Sequence, residues 1–326
     1  MQELYIGEVI KQRRMELKLT QEELCEGICE PSTISRIESG KQIPVKSKLD
    51  ALLQRLGLLG ERYYALVSKH ELEISNLKAE IITHNIRKEL KIALKKLNEL
   101  EEMIDENDHF LKQFILRTRA ALGYLHNGKV EQYNFQEKID LLYKAIYLTV
   151  PSFQINQISH HLYSVEEIKI INQIALTYSD IGQNKTAIDI YSQLLKYINS
   201  HFFNMSETNR LSILISYNYS RSLYFEEEFQ KSIEVASLGL QKSRQESSSA
   251  YLGGLLSVLG HAFYAQKKFE RSKEYFYQAF YMYTILNDEV NLKLSAQNLK
   301  DFFNVDVYAD LNIGTTIREL VGPENS

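Results

Sequence analysis

Ser32, Thr33 and Arg36 lie in the stretch GICEPSTISRIESGK (residues 27–41), between the apolar anchors Ile34 and Ile37. With both isoleucines turned inward on a short helix, these polar side chains share its outer face near the N-terminal part. An arginine placed there can donate two hydrogen bonds to a guanine edge, worth ~1–3 kcal/mol of discrimination. Small hydroxyls let such a helix approach closely, Gln21 has donors for a phosphate, and Lys41, Lys46 and Lys48 can track a polyanionic backbone. The chemistry suited to this pattern is contact with base edges in the major groove of double-stranded DNA.

A second set of polar residues lies far downstream. Asn172 and Gln173, then Tyr217, Asn218, Arg221 and Tyr224, then Ser257, His261 and Tyr264 recur at equivalent places in three similar segments. Arg119 and Asn298 fall at related places before and after them. An asparagine amide can donate to and accept from a peptide backbone at once, and tyrosine gives rigid apolar area with a polar tip. Such a set suits a short extended peptide. The plainer alternative is that these are surface or turn residues without a ligand.

The elements that must position both sets are helices. Among 326 residues there are only 14 Gly and 4 Pro, and strand-like alternation is scarce. Ile6, Val9, Ile10 and Leu17 repeat at helical spacing. Thr20 with Glu23 makes a capping box that starts a second helix at Gln21. Gly27 can take the left-handed conformation of a tight helix-to-helix turn, and Pro31 suits the first turn of a third helix. Ser39-Gly40 ends that helix, and Leu49, Leu52, Leu53 and Leu56 supply a fourth. From residue 61 to 104 longer helices rich in Glu, Lys and Leu follow.

Three segments repeat, beginning near Asn172, Tyr217 and Ser257. A small residue (Ala175, Ser220, Gly260) is followed after three by a large one (Tyr178, Leu223, Phe263) and after twelve by a second small one (Ala187, Ser232, Ser272). The sixteenth place is held by Tyr191, Ala236 and Phe276. Small residues at these marks let two antiparallel helices pack closely, and no such pair buries its faces alone, so the pairs must stack. A degenerate copy is expected over residues 119–151, marked by Ala121, Tyr124 and Ala145.

Composition bounds the function. A net charge of −4 gives no overall basic footprint, and residues 1–66 carry 10 Lys/Arg against 10 Asp/Glu. Only a docking face needs to be positive, so DNA is not excluded. Two cysteines build no disulfide framework, which fits a reducing cytoplasm. No run reaches the ~18 apolar residues of a membrane span, and no leader with an apolar core precedes a cleavage site. Cys25 and Cys29, without histidine partners, make no zinc site, and His160-His161 sits in a linker-like stretch. Phosphate-binding glycine loops and nucleophile elbows are missing, so no enzyme, metal or cofactor is expected.

Residues 6–44 resemble the XRE/Cro-type helix-turn-helix, carried by "LTQEEL", Gly27-Ile28 and "STISRIESGK". The resemblance implies that Gln21, Pro31, Ser32, Thr33 and Arg36 face DNA, and that Arg14 pairs with Glu38 as scaffold. Pro31 departs from the family pattern, where a polar residue is common. The downstream segments resemble tetratricopeptide repeats. The combination resembles the Rgg/PlcR branch of the RRNPP peptide-sensing regulators. That resemblance implies an all-α chain with a helix-turn-helix domain at 1–62 and a TPR-like α-solenoid at 63–326. It further implies a homodimer on a palindromic operator, and a short signalling oligopeptide clamped by Asn172 and Asn218 (quorum sensing). A polar position of the third repeat is Gly254 here. Two other readings remain: an XRE-type repressor whose repeats bind a protein partner, and a repeat-based phosphorelay regulator.

Overall fold

The computed structural model describes residues 6–58, 69–104, 108–201 and 206–310. These form sixteen α-helices and one two-stranded hairpin, so the all-α expectation holds. The chain divides into two compact units, Met1–Met205 and Ser206–Ser326.

The first unit begins with α1 (Ile6–Glu16), α2 (Gln21–Cys25), α3 (Pro31–Glu38) and α4 (Lys46–Arg55). Ile10, Leu24, Ile34, Ile37, Leu52 and Leu53 close one buried core among them. Local chemistry sets each boundary. Thr20 and Glu23 form the reciprocal capping box at the start of α2, and Pro31 opens α3. Gly27 adopts φ +66° in the turn between them, a conformation that costs glycine nothing. Leu17, expected on the first helix, lies beyond α1 and is exposed. Lys18 takes φ +57° and ends the helical run before the leucine can turn inward.

Next come α5 (Lys69–Ile86), α6 (Leu90–Glu102), α7 (His109–Leu122), α8 (Phe135–Tyr147), α9 (Val165–Asp180) and α10 (Asn184–His201). The boundary expected between residues 62 and 63 lies outside the described residues, as do residues 61–68 of the expected helical stretch. The degenerate repeat differs from expectation. Its two helices, α7 and α8, are joined by a hairpin of β1 (Tyr124–His126) and β2 (Lys129–Glu131). Tyr124 is therefore on a strand, and Ala121 is exposed while Ala120 is buried. The cause is Asn127-Gly128, both at positive φ, the residue pair that favours a two-residue hairpin turn. Ala145 is fully buried, as the pattern requires.

The second unit stacks α11 (Ser206–Phe225), α12 (Phe229–Gln245), α13 (Leu252–Ala265), α14 (Phe269–Ile285), α15 (Glu289–Phe303) and the short α16 (Val307–Asp310). The small marks have a further purpose here. Ser232 Oγ donates to the carbonyl of Ser220 at 2.7 Å, and Ser272 Oγ to that of Gly260 at 2.7 Å. Each second mark thus pins its helix to the first mark twelve residues earlier. In the first unit Ala175 and Ala187 are both fully buried but carry no hydroxyl. The acidic run Glu226–Glu228 makes the turn between α11 and α12.

A Cβ on Gly260 would lie 2.8 Å from the buried ring of Phe276, whereas one on Gly254 would lie 2.7 Å from the half-buried ring of Tyr217. Gly260→Ala is expected to cost ~1–3 kcal/mol by overpacking, and Gly254→Ala less, because the tip of Tyr217 can swing. Thermal melts of the two variants beside the parent chain check the order.

Candidate functional site

The N-terminal head presents the first set of residues on and beside α3. Pro31, Ser32, Arg36 and Lys41 are exposed, and Thr33 is half-buried. The helix is fixed from beneath. Arg14 donates from Nε and Nη2 to the two carboxylate oxygens of Glu38 at 2.6 and 2.9 Å, the bidentate geometry that makes such pairs strong. Gln21 Nε2 donates to Glu38 Oε2 at 2.8 Å, so this amide braces the same carboxylate. Burial pushes the Glu38 carboxyl up, but the hydrogen bonds from Arg14 and Gln21 and the charges of Arg14 and Lys11 outweigh it and hold it low.

Gly7, a residue the sequence pattern did not single out, permits this arrangement. A Cβ there would fall 1.8 Å from the carbonyl oxygen of Ile37, so α1 crosses α3 backbone to backbone. Its only sequence signal is a glycine inside a helical pattern, which often marks close packing.

Among the second set, three residues belong to the first unit. Asn172 is buried in the middle of α9. Gln173 Nε2 donates to the Arg117 carbonyl at 3.2 Å, joining α9 to α7. Arg119 donates to Asn98 Oδ1 at 2.8 Å and pairs with Glu101, so its cation is already engaged by α6.

The second unit brings others together along α11, α13 and α15. Tyr217 stacks on Tyr251 at 6.0 Å and covers Gly254, which explains the missing side chain at that place. Asn218 is buried. Arg221 lies 5.8 Å over the Phe225 ring, and Ser257 Oγ donates to the Gly253 carbonyl at 2.9 Å.

Several aromatic side chains converge on Phe302. His261 meets its ring edge-on at 5.6 Å, and Tyr264 lies 4.4 Å away. Tyr224 is 5.7 Å from His261, and Asn298 Nδ2 is 3.4 Å from His261 Nε2. Burial holds the His261 imidazole below its ordinary value. Phe302 was absent from the sequence-derived set, although it follows Asn298 by one helical turn and shares its face.

Two open depressions lie on α14 and α8, lined by Lys273, Tyr277 and Tyr281 and by Tyr133, Asp140 and Lys144. Neither contains a candidate residue. Among the described residues no cluster of His, Cys, Asp or Glu could hold a metal ion, and no helix is long and apolar enough to cross a membrane.

The Glu38 carboxylate gives a pH test with a definite sign. Its folded pKa is depressed, so it stabilises the head fully above the ordinary glutamate value of about 4.3. That stability is lost as pH falls through the folded value. The head of the parent is expected to lose stability as pH falls below about 4.3, and Glu38→Gln should flatten that part of the dependence. Circular dichroism titrations of both chains check this.

Comparison with known proteins agrees with this architecture. The C-terminal domain of the RNPP family matches residues 78–304, and a helix-turn-helix family matches residues 10–62. The crystal structure of Bacillus thuringiensis PlcR in complex with the peptide PapR7 and DNA is 21% identical. It aligns over 89% of this chain and 98% of its own with a TM-score of 0.58. The apo form of the same protein is 20% identical, covering 90% and 98%, with a TM-score of 0.56. The apo form of the competence regulator ComR from Streptococcus vestibularis is 14% identical, covering 92% and 98%, with a TM-score of 0.50. These likenesses are of fold. A search of curated proteins gives no match. With that domain spanning most of its length, the chain belongs to the RNPP family.

Proposed function

We propose that the protein is a cytoplasmic, homodimeric transcription regulator, without enzymatic activity, that reads a palindromic DNA site with α3 and answers to a short signalling oligopeptide. The observation that carries this reading is the exposed pair Ser32 and Arg36 on α3, a helix braced by Arg14, Gln21 and Glu38, with the exposed Lys41 just beyond its end. A helix-turn-helix places the N-terminal part of such a helix in the major groove, and a dimer sets two of them one helical turn apart or a multiple of it. Arg36 reads a base edge, Ser32 and Thr33 allow close approach, and Gln21 and Lys41 face phosphates. Pro31 lies at the contact without reading a base.

The remainder, from about residue 63, is the peptide-sensing and dimerisation domain in this reading. Family membership supports it, as does the PlcR relative, whose structure holds both a peptide and DNA. Asn172 and Asn218 clamp the peptide backbone. Arg119 and Gln173 in the first unit, and Tyr217, Arg221, Tyr224, Ser257, His261, Tyr264 and Asn298 in the second, are the further residues this reading gives to the peptide. Peptide and DNA are then linked: whatever factor one changes in the affinity of the other is reciprocated.

Selection of duplexes from a random-sequence pool by the full-length chain tests the DNA reading. Arg36→Ala should keep its helix content and lose ~1–3 kcal/mol of preference at one position per half-site. Lys41→Ala should weaken all sequences alike and reduce the log-log salt slope by about 0.9 per protomer. Recovery of unrelated duplexes by the parent chain would refute sequence reading. For the peptide, mass spectrometry of small peptides retained by the purified parent and by Asn218→Ala is the direct measurement. One recurrent peptide is expected in the first and its loss in the second.

A further inference from the structure

The head docks directly on the repeats of its own unit. Its rear surface is seated on α8 and α9, within the first unit, through a buried polar network that none of the assigned contacts uses. Arg55, the last residue of α4, is 5% exposed, and Glu167, in the first turn of α9, is 0% exposed. Arg55 Nη1 donates to the carbonyls of Leu24 and Glu26 at 3.1 and 2.5 Å, both in the head. Arg55 Nη2 reaches the Thr149 carbonyl at 3.4 Å and Glu167 Oε1 at 3.5 Å, both in the repeats.

Thr149 Oγ1 donates to the same Glu167 oxygen at 2.5 Å and accepts from Gln113 Nε2 at 2.5 Å. The second Glu167 oxygen accepts from the Ser164 amide at 2.5 Å, closing the cap of α9. Gln54 Oε1 accepts from the Val165 amide at 3.0 Å, and Ser152 Oγ donates to Glu26 Oε1 at 2.8 Å. Gly27 makes the fit possible, because a Cβ there would stand 1.6 Å from the Thr149 carbonyl oxygen.

The seat engages the back of the head and leaves Ser32, Arg36 and Lys41 exposed. The helix that receives Arg55 at one end also carries Asn172 and Gln173 further along. We infer that Arg55 and Glu167 are positioning residues: their buried pair fixes the direction of the reading face relative to α9. This rests on the DNA reading proposed above. A single head needs no fixed direction to meet a single half-site. Two heads on one duplex do, since each must arrive in register or lose ordering entropy on binding.

The test uses the full chain and two duplexes derived from the pool selected by the parent, one with both half-sites and one with a single half-site. Glu167→Gln removes the charge and keeps the shape. Gly27→Ala wedges the seat apart without touching either charged partner. Gly182→Ala is the control, with φ +79° and nothing within 4 Å of the added Cβ. Each seat variant is expected to lose fivefold or more on the two-site duplex and under twofold on the single site, with the control changing neither.

Equal weakening on both duplexes, or no change on either, overturns the proposal. Amide hydrogen exchange gives a readout independent of DNA. Faster exchange over residues 20–30 and 149–167 in Glu167→Gln, with the second unit unchanged, is expected, and unchanged exchange there overturns the proposal. Should the parent select no duplex, the DNA reading falls, and exchange alone decides whether the seat holds the head.

Discussion

A guanidinium withdrawn from water organises the N-terminal half of this protein. Arg55 could have ended α4 in solvent, as most arginines do. Instead its charge is met by a carboxylate and three carbonyls drawn from three separate stretches of chain. Removing one partner of a buried pair strands the other, at a cost of about 3–5 kcal/mol. Because desolvation offsets most of their attraction, the intact pair contributes little net stability, yet it penalises any docking that separates the two charges. Gln113, Thr149 and the cap of α9 are committed to the same arrangement, since each satisfies a group that the next one needs.

The two parts of the chain solve the packing of short helices differently. In the head, α1 and α3 approach at Gly7, where nothing separates one backbone from the other, and the ion pair of Arg14 with Glu38 locks the crossing. In the repeats of the second unit, serine hydroxyls at the second small mark donate back to the first. Such a bond needs the helices close, so a small side chain and its hydrogen bond enforce the same distance. Aromatic side chains then fill what remains, and around Phe302 they bring together four candidate ligand-facing residues.

Function in this arrangement depends on surfaces left over after packing is satisfied. α3 spends its isoleucines on the core and its glutamate on the brace, which leaves hydroxyls and one cation outward. Along α11, α13 and α15 the polar residues are more deeply engaged. Asn298 leans on His261, and Ser257 on its own helix. A ligand there would exchange these contacts for its own, so its affinity would be set by differences between competing hydrogen bonds and not by their sum.

Much of this was written into the sequence because the signals are local. The Thr20–Glu23 box, Pro31, Gly27 and Ser39-Gly40 each act within one helical turn, so the head was legible residue by residue. The spacing of Ala175, Ser220 and Gly260 to their partners twelve residues on revealed the helix pairs. The hairpin at Asn127-Gly128 is equally local, but a helix-pair repeat pattern has no place for strands. What only the tertiary structure decided joins residues distant in sequence. Nothing near Arg55 foretells Glu167, 112 positions away, nor does Gly27 announce the Thr149 carbonyl, or Gly254 the Tyr217 ring. Local preferences are set by neighbours along the chain, whereas a buried charge or an empty Cβ position takes its meaning from whatever the fold brings against it.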